Sequence, residues 1–303
     1  MAEYLFNEPR FHDPEQAREH LESVHWPDGP ICPHCGACDR ISKLNGKAHR
    51  PGVYECGHCR DQFTVTVGTL FERSKISLDK WLFAAALMAS SKKGISSKQI
   101  ERILGVTYKT AWFMTHRLRE AMKPNGGGLL GSGGKVVEVD ETFVGRKPGT
   151  KVRRGYSHKN SVFTLVEREG KVRSYHVPDV TAATLKPIIK SQMSKTAKLM
   201  TDDARQYRVL GPVSSTHETV NHSVKEYVRG NAHTNTVEGF FSIFKRGIYG
   251  VYQHVSSHHL HRYTVEFDFR YNHREKLGFN DAERTVELLK GIDGKRLMYR
   301  QPH

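Results

Sequence analysis

The sequence predicts a multidomain α+β chain, on three observations. All five cysteines fall between positions 32 and 59, a Gly-rich break spans 124–134, and apolar residues recur with helical spacing just before that break but alternate after it. At 303 residues the chain is long enough for about two domains with buried cores. Its 47 lysines and arginines against 32 aspartates and glutamates leave a formal charge of +15. That excess suits a polyanion such as nucleic acid better than a small metabolite. The longest apolar run, Trp81 to Ala89, is nine residues, about half of a membrane span. The N-terminus, Met1-Ala-Glu-Tyr-Leu-Phe6, lacks the basic and long apolar regions of a signal peptide. The expectation is a soluble, intracellular protein with no membrane partner.

Cys32-Pro-His-Cys35 and Cys56-Gly-His-Cys59 form two C-x2-C pairs with 20 residues between them. Each pair can turn as a tight knuckle, and closing both on one Zn2+ gives a tetrahedral structural site. Gly36 and Gly57 are expected to supply the backbone freedom of the knuckles. Four thiolates complete the shell, so Cys38, His34 and His58 receive no role. Strand-like stretches at Gly52–Glu55 and Gln62–Val67 flank the second knuckle, as in the hairpin of a zinc ribbon. The ribbon is placed at about 30–67, within an N-terminal region of residues 1–70.

Residues 71–123 read as a helix-turn-helix region. A first helix runs from Ser77 to Ser90 and breaks at Gly94; a second opens at Ser96, with a capping box to Gln99, and stops at Gly105. The third runs from about Tyr108 to Met122 behind Thr107. On a helical wheel Ala111, Met114, Leu118 and Met122 form the core stripe, leaving Lys109, Phe113, His116, Arg117 and Glu120 outward. Lys109, His116 and Arg117 are therefore DNA-binding candidates for a helix entering a major groove. Trp112 is assigned to the core.

The break at 124–134 reads as a linker, because no strand precedes it and no Lys-Ser/Thr follows it as in a phosphate-cradling loop. Beyond it, residues 135–290 form the expected second domain, with a basic tail at 291–303. Strands are predicted at Val136–Asp140, Ser161–Val166 and Val172–Val177, a helix at Ala182–Met193, a strand at Lys198–Thr201, and helices from about Thr234. The order βββαβ and then helices resembles an RNase H-like α/β domain with a mixed sheet. The helices at His258–Asn272 and Asp281–Leu289 carry core aromatics, Tyr263, Phe267 and Tyr271 among them.

Asp140 and Asp202 end two of these strands, and Glu238 lies in the helical stretch after His233. There Val237, Phe240, Phe241, Phe244 and Ile248 share about 100° of arc as the buried stripe, with Asn235, Glu238, Ser242 and Lys245 on the adjoining flank. Carboxylates from neighbouring strands and a helix laid across them can converge on hard divalent cations, and two such ions serve an in-line phosphoryl displacement. Asp140, Asp202 and Glu238, with 35 residues between the last two and Lys245 seven after the glutamate, resemble the catalytic signature of DDE-type transposases of bacterial insertion sequences. The strings Val139-Asp-Glu-Thr142, Thr201-Asp202, His233-Thr-Asn-Thr-Val-Glu238 and Phe244-Lys-Arg-Gly-Ile-Tyr-Gly250 resemble the subgroup with an N-terminal zinc ribbon.

The resemblance implies a polynucleotidyl transferase and endonuclease that binds element ends and cleaves and joins DNA strands. It implies two Mg2+ or Mn2+ ions on Asp140, Asp202 and Glu238, one structural Zn2+ on Cys32, Cys35, Cys56 and Cys59, and terminal inverted repeats and target DNA as partners. Pairing two ends requires at least a homodimer. Asp202 is preferred to Asp203 because it directly follows Thr201, and Glu141 should point to the face opposite Asp140. Asn235 is the rival of Glu238 as third ligand, since relatives in the subgroup can carry Asn there. Lys245 is a possible catalytic contact to a phosphate. Arg146-Lys147, Lys151-Val-Arg-Arg154 and Lys245-Arg246 are candidate phosphate contacts. The implied location is a bacterial cytoplasm, on the nucleoid when DNA-bound. The rival readings are a DNA-binding regulator or inactive descendant without chemistry, and a structure-specific nuclease on the same fold.

Overall fold

The computed structural model describes residues 4–210, 213–220 and 228–298. The last five residues of the expected tail lie outside the described residues. The chain forms two compact units: Met1–Ser91, Ile95–Lys123 and Phe279–His303 make one, and Lys92–Gly94 with Pro124–Gly278 make the other.

In the first unit, α1 (Pro14–His25) starts where Asp13 accepts the backbone N–H groups of Glu15 and Gln16 at 2.7 and 3.0 Å. The cysteine module follows as an antiparallel sheet of β1 (Ile41–Lys43), β2 (Tyr54–Cys56) and β3 (Gln62–Phe63). The strand expected to run to Val67 stops at Phe63, because the chain turns there, with Val67 N–H bonded to Thr64 O. Then come α2 (Leu78–Ser90), α3 (Ser97–Leu104) and α4 (Tyr108–Ala121). Ser96 accepts the Gln99 N–H at 3.2 Å and Thr107 accepts that of Thr110 at 3.2 Å, which fixes where α3 and α4 begin. Between them Gly105 is left-handed at φ 61°, a backbone that glycine adopts without strain.

The catalytic-domain boundary expected at 290 is corrected by α9 (Asp281–Lys290), which packs on α2, α1 and α4. Its Leu288 and Leu289, with Ile292 beyond it, are buried, so the helix needs an apolar partner, and it finds one in the N-terminal unit. The expected tail is drawn in as well, since Ile292 O accepts the Leu70 N–H at 3.0 Å.

The second unit is built on a mixed sheet of β4 (Val136–Val144), β5 (Asn160–Glu167), β6 (Val172–Val177), β7 (Lys198–Asp202) and β8 (Thr216–Val220). Their order is β6-β5-β4-β7-β8; β4, β5 and β6 are antiparallel neighbours, while β7 runs parallel to β4 and β8. β8 was not predicted: Thr216-His-Glu-Thr-Val220 is polar and mostly exposed, so it carries no apolar alternation.

Helices cover both faces. Val137 and Val139 of β4 and Phe163 and Leu165 of β5 pack with Leu185 and Ile189 of α5 (Ala182–Gln192) and Tyr207 of α6 (Arg205–Arg208). On the other face, Val144, Val162 and Val166 pack against α7 (Asn235–Gly247) and α8 (Ser257–Asn272). All five residues of the predicted α7 stripe are buried. The expected linker, 124–134, falls wholly within this unit, and its second half is tied into it: Leu130 joins the first core, and Gly131 N–H donates to Glu167 at 2.8 Å.

Candidate active site and metal centres

The four predicted cysteines converge. Their sulfurs lie within 4.8 Å of one another, with Cys32–Cys59 at 3.7 Å and Cys35–Cys56 at 3.6 Å. A tetrahedron with Zn–S bonds of about 2.3 Å has edges of about 3.8 Å, so the quartet fits a structural zinc ion. Each knuckle closes the same way: Gly36 N–H bonds Cys32 O, and Arg60 N–H bonds Cys56 O, both at 2.9 Å. The left-handed residue is Gly36 in the first knuckle but Arg60, at φ 67°, in the second. Gly57 is needed instead for space, since a Cβ there would sit 2.8 Å from Arg40 O. The backbone N–H of Cys59, opposed by burial and joined by that of His58, pulls the Cys56 thiol down to about 6. Cys38 is exposed and outside the quartet.

The carboxylates are assembled by the sheet. Even-numbered residues of β4 face α7, and the ladder pairs Glu138 with Met200 of parallel β7. The ladder ends there; Asp140 lies one pleat beyond Glu138, and Asp202 lies two residues beyond Met200, where it accepts the Ala204 N–H at 3.1 Å. Burial, then repulsion from Glu141, and then repulsion from Asp202 and Glu238 raise the Asp140 carboxyl well above its ordinary range. The three predicted acids are therefore electrostatic neighbours. Among the described residues they do not close as tightly as the thiolates, which form the one group drawn within a single ion's reach.

The alternatives fall apart by position. Glu141 does face away from α7: it accepts Gln206 Nε2 at 2.7 Å and the Tyr207 hydroxyl, and burial raises its pKa. Asp203 is held by Arg208 Nε at 2.8 Å, and that bond lowers its pKa. Asn235 is the exposed first residue of α7. Glu238 is exposed one turn further on and accepts the Thr234 hydroxyl at 2.8 Å. Lys245 and Arg246 are exposed near the end of the same helix, with Lys245 about 10 Å along the axis from Glu238 at 1.5 Å per residue.

Sequence reasoning missed Glu138. It is fully buried, paired with Arg168 Nε at 2.6 Å, and accepts the backbone N–H groups of Thr236 and Val237 at 2.7 and 3.0 Å. The one signal available was its i, i+2 relation to Asp140, which puts both on the same face of a strand.

Two DNA-binding candidates on α4 are corrected. His116 is completely buried, its ring 4.1 Å from that of Trp112. The Arg117 guanidinium lies over Phe113 and Trp81 at 5.5 and 5.8 Å, and desolvation lowers its pKa. The wheel assigned one buried face to α4, but α2, α3 and α9 all pack on it. What remains open is its first turn, where Tyr108 and Lys109 are exposed and the Lys98 ammonium sits 4.9 Å from the Tyr108 ring. In the β4–β5 loop, Arg146 and Lys147 bond loop and neighbouring carbonyls, whereas Lys151, Arg153 and Arg154 are exposed.

A mixed α/β sheet and a four-cysteine ribbon thus share one chain. Comparison with known proteins shows what kind of chain this is. Residues 129–272 match the ISXO2-like transposase domain, and residues 12–62 match the transposase zinc-ribbon domain. A protein in the transposable element ISH50 of Halobacterium salinarum is 29% identical over 287 residues, covering 88% of this chain and 93% of its own. A transposase-like protein of Haemophilus influenzae is 30% identical over 105 residues, which is 35% of this chain and 84% of the relative. The chain belongs to the ISXO2-like transposase family. No described helix is long and apolar enough to cross a membrane.

Proposed function

We propose that the protein is an insertion-sequence transposase that binds its element's ends and cleaves and transfers DNA strands at Asp140, Asp202 and Glu238. The observation that carries this reading is the match of residues 129–272 to the ISXO2-like transposase domain, with buried Asp140 near enough to Asp202 and Glu238 to feel their charge. The strand order β6-β5-β4-β7-β8, with α7 laid over the acids, supports an RNase H-like catalytic domain. A carboxyl raised first by burial and then by neighbouring negative charge is one whose ionised form a divalent cation would stabilise. Two Mg2+ or Mn2+ ions at these acids would polarise the attacking and leaving oxygens. Asp140, Asp202 and Glu238 would hold them; Asn235 stands one turn before Glu238, as a ligand or as its neighbour.

In the first step water adds to the scissile phosphorus as its bond to the 3′ oxygen breaks. In the second, that oxygen attacks a target phosphodiester, whose own 3′ oxygen leaves. The chain's part is to position the strands and to stabilise charge, with Lys245 meeting a phosphate beside the acids. DNA is held by the ribbon and by α3–α4 read as a helix-turn-helix. Contact there comes from the first turn of α4, where Lys98, Lys109 and the positive end of the helix favour phosphate. Lys151, Arg153 and Arg154 extend the basic surface. Two ends paired for reaction call for at least a dimer.

The test is cleavage and joining of a labelled fragment carrying the source element's ends, in Mg2+ or EDTA, by the native protein and Glu238→Gln. Metal-dependent cleavage and joining that the variant loses are expected, and rank Glu238 above Asn235. Tight end binding without metal-dependent chemistry, in Mn2+ as well, would replace this reading with a regulator or an inactive descendant.

A further inference from the structure

We infer that Glu138 is a positioning residue: it caps α7 from the neighbouring strand and so fixes where Glu238 stands relative to Asp140. The inference rests on the carboxylate-triad reading above and concerns what holds that triad together.

An α-helix leaves its first N–H groups without partners inside the helix. The residue before α7, Thr234, makes no side-chain cap bond; its hydroxyl goes to Glu238 instead. The donors of Thr236 and Val237 are met from β4, both by Glu138 Oε2. The other oxygen, Oε1, takes the Thr236 hydroxyl at 2.8 Å and Arg168 Nε at 2.6 Å; His233 Nδ1 lies 3.2 Å from it without a hydrogen bond. Arg168 closes the ring by donating to His233 O at 3.0 Å, just upstream of the helix. A completely buried carboxylate is tolerated only when its oxygens are engaged in this way.

The clamp acts on the spacing of the acids. At its other end α7 meets β4 through Val144 and Ile248, which share one apolar cluster. From Glu138 to Val144 is about 20 Å of strand, and from Thr236 to Ile248 about 18 Å of helix. The helix therefore lies along the strand, pinned at both ends. The apolar end tolerates sliding, since burial is non-directional; hydrogen bonds of fixed length and angle do not. Glu138 and Asp140 are neighbours on one face of β4, and Glu238 comes two residues after the capped Thr236. One short stretch of strand and about half a helical turn thus carry the separation between the two acids.

The test compares Glu138→Ala and Glu138→Gln with the native zinc-loaded protein. Without divalent cation, hydrogen exchange over residues 234–240 should quicken at least tenfold in Glu138→Ala, while β4 and β5 stay protected. Mn2+ binding by calorimetry, in addition to the zinc, should weaken by about tenfold or more, as for lost support behind a metal ligand. Glu138→Gln, which keeps a carbonyl acceptor for the helix, should recover part of both; a loss that merely followed thermal stability would not. Should Glu138→Ala fail to fold, Thr236→Val removes the hydroxyl bond alone and should move both readouts less, in the same direction. Unchanged exchange at 234–240, or loosened exchange with native Mn2+ affinity, overturns the inference. Native protein that binds no Mn2+ beyond its zinc would sink the proposed chemistry, and exchange alone would then decide whether the clamp exists.

Discussion

In the thiolate quartet, each pair of ligands sits within four residues of chain, and backbone bonds made by Cys32 to Gly36 and Ala37, and by Cys56 to Arg60 and Asp61, shape the two knuckles. In the carboxylate cluster, Asp140, Asp202 and Glu238 come from two strands and a helix, 98 residues apart from first to last. The first site needs only local turns and one short sheet to close. The second exists only when β4, β7 and α7 are docked in register, and it needs a further residue, Glu138, to hold the helix. Local sites thus resist distant changes, whereas assembled sites depend on supports that carry no chemistry themselves.

The comparison can be broken most severely at the ribbon. Structural zinc contributes on the order of 10 kcal/mol to the folding of such modules. Cys56→Ser should therefore lower bound zinc, assayed by metal analysis, from one per chain to well below one. Hydrogen exchange should show β1–β3 unprotected while β4 and β5 stay native; equal loss in both would mean that the module does not fold locally.

Next in size is Asp140→Asn, which should reduce metal-dependent cleavage by about a thousandfold or more, roughly 4 kcal/mol of barrier. End binding in EDTA should change little. Retained cleavage by that variant would remove Asp140 from the mechanism.

A smaller effect sharpens the contrast through pH. Asp268 of α8 accepts both the N–H and the hydroxyl of Ser174 at 2.6 Å, and burial pushes its carboxyl up to about 7. A folded-state value above the ordinary one means that the folded protein binds the extra proton. Its stabilising effect is full below about pH 4 and is lost as pH rises to about 7, a change of up to a few kcal/mol. Urea unfolding at pH 5, 6 and 8 should show Asp268→Asn gaining on the native protein as pH rises; a constant difference would refute the assignment.

Smallest is Lys109→Ala, expected to flatten the dependence of log K on log [salt] for end binding by about one phosphate contact. Arg117→Met should instead act on unfolding, because Arg117 packs on Trp81 inside the first unit. A salt slope that moved with Arg117 and not with Lys109 would restore the middle of α4 as the reading surface.

Much of the fold was legible because its signals are local. Ser96 and Thr107 marked the starts of α3 and α4, apolar β-formers marked β4 and β5, and the stripe Val237 to Ile248 gave the buried face of α7. Less local features were not. β8 is a polar edge strand that forms because β7 offers it a free edge. Glu138 reads as one more alternating residue until α7 lands on it. The wheel for α4 failed because a helix surrounded by α2, α3 and α9 buries charged residues that an isolated amphipathic helix would expose. Likewise α9 follows the second unit in sequence yet packs into the first.

By itself the sequence named four cysteines, whose sulfurs do come together, and three acids, with Asn235 as a rival to Glu238, whose combined spacing resembles one family. The cysteines could be read because each pair lies within four residues of chain, so the knuckle turns are written locally. Tertiary structure alone decided which acids share a face, which of Glu141 and Asp203 are drawn off to other partners, and what clamps α7 over β4. Those outcomes depend on register and on hydrogen bonds between segments about 100 residues apart, and no local pattern specifies them.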